Sequence, residues 1–244
     1  MHALDFRGCG HSGRMPGAYS IADYAADVIA FIEKNFTEPV DLLSHSLGDH
    51  VSLVVANAIT KHIRSVILED LPVWTADGRL QGRPFQPIFA AWRDILGQAK
   101  NFDEIYHLLG ESEYFRDSLG DRIRARSLAL LDADVFDAYI LRDPYVGYDP
   151  ETLTAGLACP TLLVQADSEI FARLQDTEAL RMMQLNPRIC RTTVTCAGHN
   201  VHSDQPEKVS RAISDFFGIP QSGMRTAIEW RVGILPYDPR QLSL

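Results

Sequence analysis

The chain has 244 residues, 46% of them apolar, and a formal net charge of −9. That length and apolar fraction suit one sizeable globular core, or a domain with an insert. The acidic balance argues against nucleic acid or an anionic membrane as partner, and no run of ~18 apolar residues predicts a membrane-spanning helix.

In chain order, residues 2–5 read as the end of a short strand, and Arg7 to Gly13 as a glycine-rich loop. Ser20 is a plausible helix N-cap, followed by Ile21, Tyr24, Ala25, Val28, Ile29 and Ile32 on one helical face. Val40 to Leu43 is a strand, Ser44-His45-Ser46-Leu47-Gly48 a tight turn, and Val51 to Ala58 a helix. Val66 to Leu68 is a strand that leads into Glu69-Asp70-Leu71-Pro72. From about residue 72 to 155 apolar residues repeat at helical spacing with no clear strand, which predicts a helical insert leaving through Asp143-Pro144 and Asp149-Pro150. The strand–helix rhythm then resumes. Pro160 to Gln165 is a strand, Asp176 caps a helix to about Leu185, Ile189 to Thr195 is a strand, and Glu207 to Phe217 a helix. Residues 219–244 form an irregular tail. Strands alternating with helices predict an α/β fold with a mostly parallel sheet, its core at 1–71 and 156–218 and the cap insert at 72–155.

The turn at Ser46 carries the chemistry. A serine between small residues, with a strand before it and a helix after it, is forced outward, and the helix N-terminus favours negative charge beside it. The expected pattern is G-x-S-x-G; here Ser44 holds the first position. Serine needs a base, and His199 follows the last strand in an Ala197-Gly198-His199 loop. Groups beyond the carboxyl ends of parallel strands converge on one crevice. The orienting carboxylate is expected at Asp167, with Glu169 as the alternative; Glu69 and Asp70 form a less favoured earlier cluster. The Leu47 backbone N–H would face the oxyanion. His45, Trp74, Phe89 and Trp92 are candidate substrate contacts, with Phe85 and Tyr106 as further aromatic lining.

Four segments together resemble the cap-bearing α/β-hydrolase fold family. Leu4 to Ser12 resembles its D-x-R-G-x-G-x-S loop, and Ser44 to Gly48 its nucleophile elbow. Cys159 to Glu169 resembles its acid strand and loop, and Gly198-His199 its histidine loop. In that family three strands normally precede the segment that starts here at Met1, one of them beside the strand before the elbow. The resemblance therefore implies an N-terminally shortened and poorly active form, or a chain in which residues 2–5 fill the slot beside 40–43. Asp49 stands where the family often has a second glycine.

The four cysteines, Cys9, Cys159, Cys190 and Cys196, form no C-x-x-C pair, and reduced thiols in a cytoplasmic protein are expected. A Cys190–Cys196 disulfide has only proximity in its favour. His202 and Asp204 give a weak metal pattern with His199, and an N-cap role suits Asp204 better. The reading is a serine hydrolase of a small or medium, partly apolar ester or related C–C or amide substrate, with no cofactor, no metal and neither nucleic acid nor membrane as partner. The alternative is a non-catalytic binding protein of the same fold.

Overall fold

The computed structural model describes residues 1–73, 85–111 and 119–219. Helix α1 (Ile21–Asn35) is opened by a capping box in which Ser20 accepts from Asp23 N and Asp23 accepts from Ser20 N. Strand β1 (Val40–His45) leads through Ser46 into α2 (Leu47–Ala58), and β2 (Ile63–Glu69) follows a 3₁₀ turn. Four helices come next: α3 (Phe85–Gln98), α4 (Phe102–Gly110), α5 (Leu119–Ala129) and α6 (Asp134–Ile140). Helix α7 (Pro150–Gly156) then enters β3 (Thr161–Gln165). Helix α8 (Asp176–Leu185), β4 (Ile189–Thr193), α9 (Val201–Asp204) and α10 (Pro206–Phe216) complete the order.

The four strands form one parallel sheet in the order β1-β2-β3-β4. Parallel strands need crossovers and are covered on both faces, so the central ones read as apolar runs. β3 is buried throughout, and Val66, Leu68 and Leu163 are fully buried against α1, α2 and α8. The other face packs Ile67, Leu162 and Val164 under Val201 and Val209. β1 is the edge: its Leu43 is 57% exposed. Residues 2–5 carry no strand and do not pair with 40–43, contrary to the second expectation. Asp5 is instead spent on its own loop, where Oδ2 accepts His11 N and its carbonyl accepts the Ser12 hydroxyl. Arg7 fixes that loop to α1 through paired hydrogen bonds to Asp27 at 2.6 Å.

The described residues between β2 and β3 form helices with their own core of Ile95, Ile105, Leu109, Ala125, Leu128 and Phe136. An Arg93–Asp137 ion pair joins α3 to α6. Tyr19 donates to Asp132 at 2.6 Å and Asp132 N donates to Gly8 O at 2.8 Å, tying this segment to the glycine-rich loop. The sequence reading differs from the structure at three caps. Asp149-Pro150 starts α7 rather than ending the insert, with Asp149 accepting from Glu151 N and Thr152 N and proline in the first turn. Gln175, not Asp176, caps α8, in a reciprocal pair with Glu178. Asp204 ends α9 and accepts Gly198 N at 2.7 Å instead of capping α10. All four cysteines are free thiols, Cys190 and Cys196 included. The 219–244 tail lies outside the described residues from 220 on.

Burial separates the strands energetically. Leu68→Ala in β2 should lower unfolding stability by about 2–5 kcal/mol in urea melts. Leu43→Ala on the exposed edge should stay within about 0.5 kcal/mol. Equal losses at both positions would contradict this sheet order.

Candidate active site

Two registers bring the site together. In the β1–β2 pairing His45 lies opposite Glu69, so Ser46 and Asp70 are each the next residue beyond the same paired couple. Both leave their strands with positive φ, 54° at Ser46 and 50° at Asp70. Such backbone costs about 1–3 kcal/mol per non-glycine residue and persists where surrounding bonds over-determine it. Here Ser46 N donates to Glu69 O and Asp70 N to Val164 O, at 3.3 and 2.8 Å. The elbow also needs small flanks: a Cβ on Gly48 would lie 3.3 Å from the Ser44 Cβ.

His199 reaches this point from the loop after β4. Its Nε2 is 3.0 Å from Ser46 Oγ and its Nδ1 is 2.8 Å from Asp70 Oδ2. A carboxylate on Nδ1 fixes the tautomer, so Nε2 is left to accept the serine proton. Asp70 is fully buried and also accepts backbone N–H groups of Ala166, Arg173 and Leu174 at 3.2, 2.8 and 3.2 Å.

The carboxylate facing His199 is therefore Asp70, and neither Asp167 nor Glu169 is in that position. Asp167 sits two strands from Ser46 and accepts Cys196 N at 2.9 Å and Glu169 N at 3.0 Å, which holds its ionisation below the usual carboxylate range. Its own N–H donates to Ala197 O. It pins the start of the histidine loop and stays away from the imidazole. Glu169 has no bond to His199; its backbone N–H is one of the donors to Asp167. The signal for Asp70 was its place just past a strand beside the serine strand, together with the tolerance of aspartate for left-handed backbone.

His45 does not line the cavity, contrary to expectation. Its Nε2–H donates to the His199 carbonyl at 2.9 Å, and the two rings lie 4.5 Å apart. Burial and the adjacent His199 push its pKa down. His202 bonds Glu69 at 2.8 Å through Nδ1 and at 3.0 Å through its backbone N–H, clamping α9 to the end of β2, and that bond raises its pKa. His50, fully buried, shares a 2.9 Å hydrogen bond with the Tyr148 hydroxyl, and burial pushes its pKa down to about 3. Among the described residues no cluster of three or more His, Cys, Asp or Glu side chains could hold a metal ion.

Ser46, Leu47 and His199 open onto a cavity of about 650 Å³. Phe89, Trp92, Phe136, Tyr139 and Tyr145 form much of its wall, and Cys9, Gly10 and His11 one side. Phe89 and Trp92, candidate substrate contacts from the sequence, are among the lining residues. Tyr106 instead stacks on Phe102 outside that wall. Trp74 lies outside the described residues, as does the Phe85 side chain. Leu47 opens α2, so its N–H is the first of that helix's unsatisfied donors, beside Ser46.

A parallel sheet with serine, histidine and a buried carboxylate beyond its strand ends defines the class, and the match to a family model agrees. Residues 1–212 match the alpha/beta hydrolase family, and the chain belongs to it. A curated relative from Mesorhizobium japonicum, 2-(acetamidomethylene)succinate hydrolase, is 26% identical over 231 residues, covering 88% of this chain and 77% of its own. A crystal structure of E-2-(acetamidomethylene)succinate hydrolase superposes with TM-score 0.65 at 21% identity, covering 88% and 80% of the two chains. An N-formylmaleamic acid deformylase from Pseudomonas putida S16 does so at 0.62 and 22%, covering 86% and 79%. No helix among the described residues is long and apolar enough to cross a membrane.

Asp49 supplies a pH-dependent test of the elbow. It is fully buried, and burial raises its pKa well above the ordinary 3.8. The unfolded chain ionises this group above about pH 4 while the folded chain keeps it protonated, so folding loses stability as pH rises from there towards the folded pKa. Asp49→Asn should therefore raise Tm relative to the wild type at pH 7, by about 2–4 °C for each kcal/mol recovered. Little difference should remain at pH 4. A lower Tm for the variant at pH 7 would contradict the assignment.

Proposed function

We propose that this chain is a serine hydrolase that cleaves an ester or related amide or C–C bond in a small or medium, partly apolar molecule. The observation that carries the reading is the unbroken line Ser46 Oγ, His199 Nε2, His199 Nδ1, Asp70 Oδ2, with both contacts at hydrogen-bond length and the acid buried. The names of the relatives, a hydrolase and a deformylase, support acyl transfer to water.

In the proposed reaction Ser46 Oγ attacks the substrate carbonyl carbon as His199 Nε2 takes its proton. The new oxyanion lies against Leu47 N–H and the start of α2. Asp70, already on Nδ1, stabilises the imidazolium that forms. Nε2 returns the proton to the leaving group as the carbonyl–leaving group bond breaks, leaving an acyl group on Ser46. Water, deprotonated by the same nitrogen, attacks that acyl carbon and releases the acid and the serine. The helices between β2 and β3 act as the cap, since Phe89, Trp92 and Tyr139 shape the side of the cavity facing Ser46.

A fluorophosphonate probe should label the wild type and leave Ser46→Ala unlabelled. Asp70→Asn should reduce kcat on p-nitrophenyl esters by about 10⁴-fold, because the wrong imidazole tautomer is then favoured. Asp167→Asn and Glu169→Gln should stay within about tenfold, since neither group meets the imidazole. A folded chain that takes no label would favour the non-catalytic binding reading. A collapse of rate in Asp167→Asn with Asp70→Asn spared would move the acid.

A further inference from the structure

Two buried polar atoms of the cavity wall have no hydrogen-bond partner among the described residues: the Tyr139 hydroxyl and Trp92 Nε1. Buried donors in native proteins are nearly always satisfied, so two orphans on one cavity wall call for an explanation in what the cavity takes. Phenylalanine rings pack against both. Phe89 lies 5.6 Å from the Tyr139 ring and 6.1 Å from the Trp92 ring, and Phe136 lies 6.1 Å from Trp92. The nearby wall also includes Leu128, Leu131 and Val135, and Arg124, which lies 5.4 Å over the Trp92 ring with its charge met by the Asp121 carboxylate.

Their depth follows from a line of ring contacts. His50, on the helix that begins beside Ser46, lies 5.1 Å from Tyr145. Tyr145 lies 6.4 Å from Tyr139, and Phe89 then separates Tyr139 from Trp92. Tyr139 is thus fewer ring contacts from α2 than Trp92 is.

We infer that the substrate carries a neutral oxygen acceptor, a ketone, ester or amide carbonyl, a few bonds from the scissile carbonyl, and that Tyr139 is the specificity-determining donor to it, with Trp92 as a second donor. This deepens the hydrolase reading and rests on it. Neutral donors suit a neutral acceptor: a phenol and an indole N–H can satisfy a carbonyl without bringing a charge among Phe89, Phe136 and Leu128. Burial raises the Tyr139 pKa far above its ordinary value, so the hydroxyl keeps its proton across the working range. A site built to hydrogen-bond a substrate group discriminates more sharply than an apolar pocket does, because its own polar atoms are left unpaired by the wrong substrate.

The test compares kcat/KM for p-nitrophenyl 5-oxohexanoate and p-nitrophenyl hexanoate, which differ by one carbonyl in an otherwise matched chain. The quantity read is the ratio of the two, in the wild type, Tyr139→Phe and Trp92→Phe. Tyr139→Phe should lower the ratio by about tenfold or more, with the larger loss on the oxo ester. Trp92→Phe should lower it by a smaller factor, which gives an independent reading should the tyrosine variant fold poorly. Tyr139→Phe should also melt no lower than the wild type, because its hydroxyl has no hydrogen-bond partner to lose among the described residues. An unchanged ratio in both variants, equal losses on both esters, or a Tm drop of several degrees in Tyr139→Phe overturns the inference. If Ser46 takes the fluorophosphonate label and both esters turn over, such a result sinks the acceptor alone. If the wild type neither labels nor turns over either ester, the hydrolase reading fails and the inference falls with it.

Discussion

The buried carboxylate of Asp70 is the interaction on which the site depends. Its two oxygens accept from Ala166 N beyond β3, from Arg173 N and Leu174 N in the approach to α8, and from the His199 imidazole. Three separate stretches of chain are therefore referred to one group. Burying a carboxylate costs several kcal/mol after relaxation. Hydrogen bonds to a charged group return about 1.5–3 kcal/mol each, so the group is tolerable only with its full set of donors. That requirement makes the imidazole position a property of the fold. His199 cannot swing away without leaving a buried carboxylate short of a donor.

The strained backbone at Ser46 and Asp70 belongs to the same arrangement. Each residue turns out of its strand one step past the His45–Glu69 couple, and each donates its N–H to a neighbouring strand's carbonyl. The third non-glycine residue with positive φ is Cys196, whose N–H goes to Asp167 in the loop leading to His199. All three such positions among the described residues thus lie on the path that brings Ser46, Asp70 and His199 together. The parallel sheet makes this possible because every strand delivers its following loop to the same edge. Glu69 adds a clamp from below, since it holds His202 on α9 directly after the catalytic loop.

Much of this was legible because it is local. The apolar runs at 40–43, 66–68 and 160–165 and the helical period of 21–32 are set by near neighbours, and so is the small-residue turn around Ser46. The meeting of His199 with Ser46 was legible because the histidine follows glycine just past the last strand. The acid was not, because two carboxylate clusters stand just past strands and chain order admits both. The choice depends on which strand lies next to β1, and that is a long-range pairing that local pattern does not encode. Helix α7 was hidden by Asp149-Pro150, a pair that can end one segment or begin another. The cavity wall was half visible: Phe89 and Trp92 share a helix, whereas Tyr139 and Tyr145 join them only through tertiary packing.

The two departures from the expected elbow pattern also explain each other. A serine at position 44 and an aspartate at position 49 each look like a cost when read alone. One puts a hydroxyl where a glycine would leave space, and the other buries a carboxyl group behind the nucleophile. In the structure the Ser44 hydroxyl donates to Asp49 Oδ1 at 2.6 Å, and Glu69 N donates to the same oxygen at 3.3 Å. Ser44 thus finds its acceptor inside the turn, and Asp49 gains donors that a glycine neighbour would not supply. The added Cβ at position 44 is accommodated because Gly48 keeps its own side empty. Loss of the Ser44 hydroxyl would leave Asp49 Oδ1 with the longer bond from Glu69 N, whereas Asn at 49 would keep the oxygen to which Ser44 donates. The pair therefore acts as one unit of the elbow, and it links the turn that presents Ser46 to the end of β2, the strand that presents Asp70.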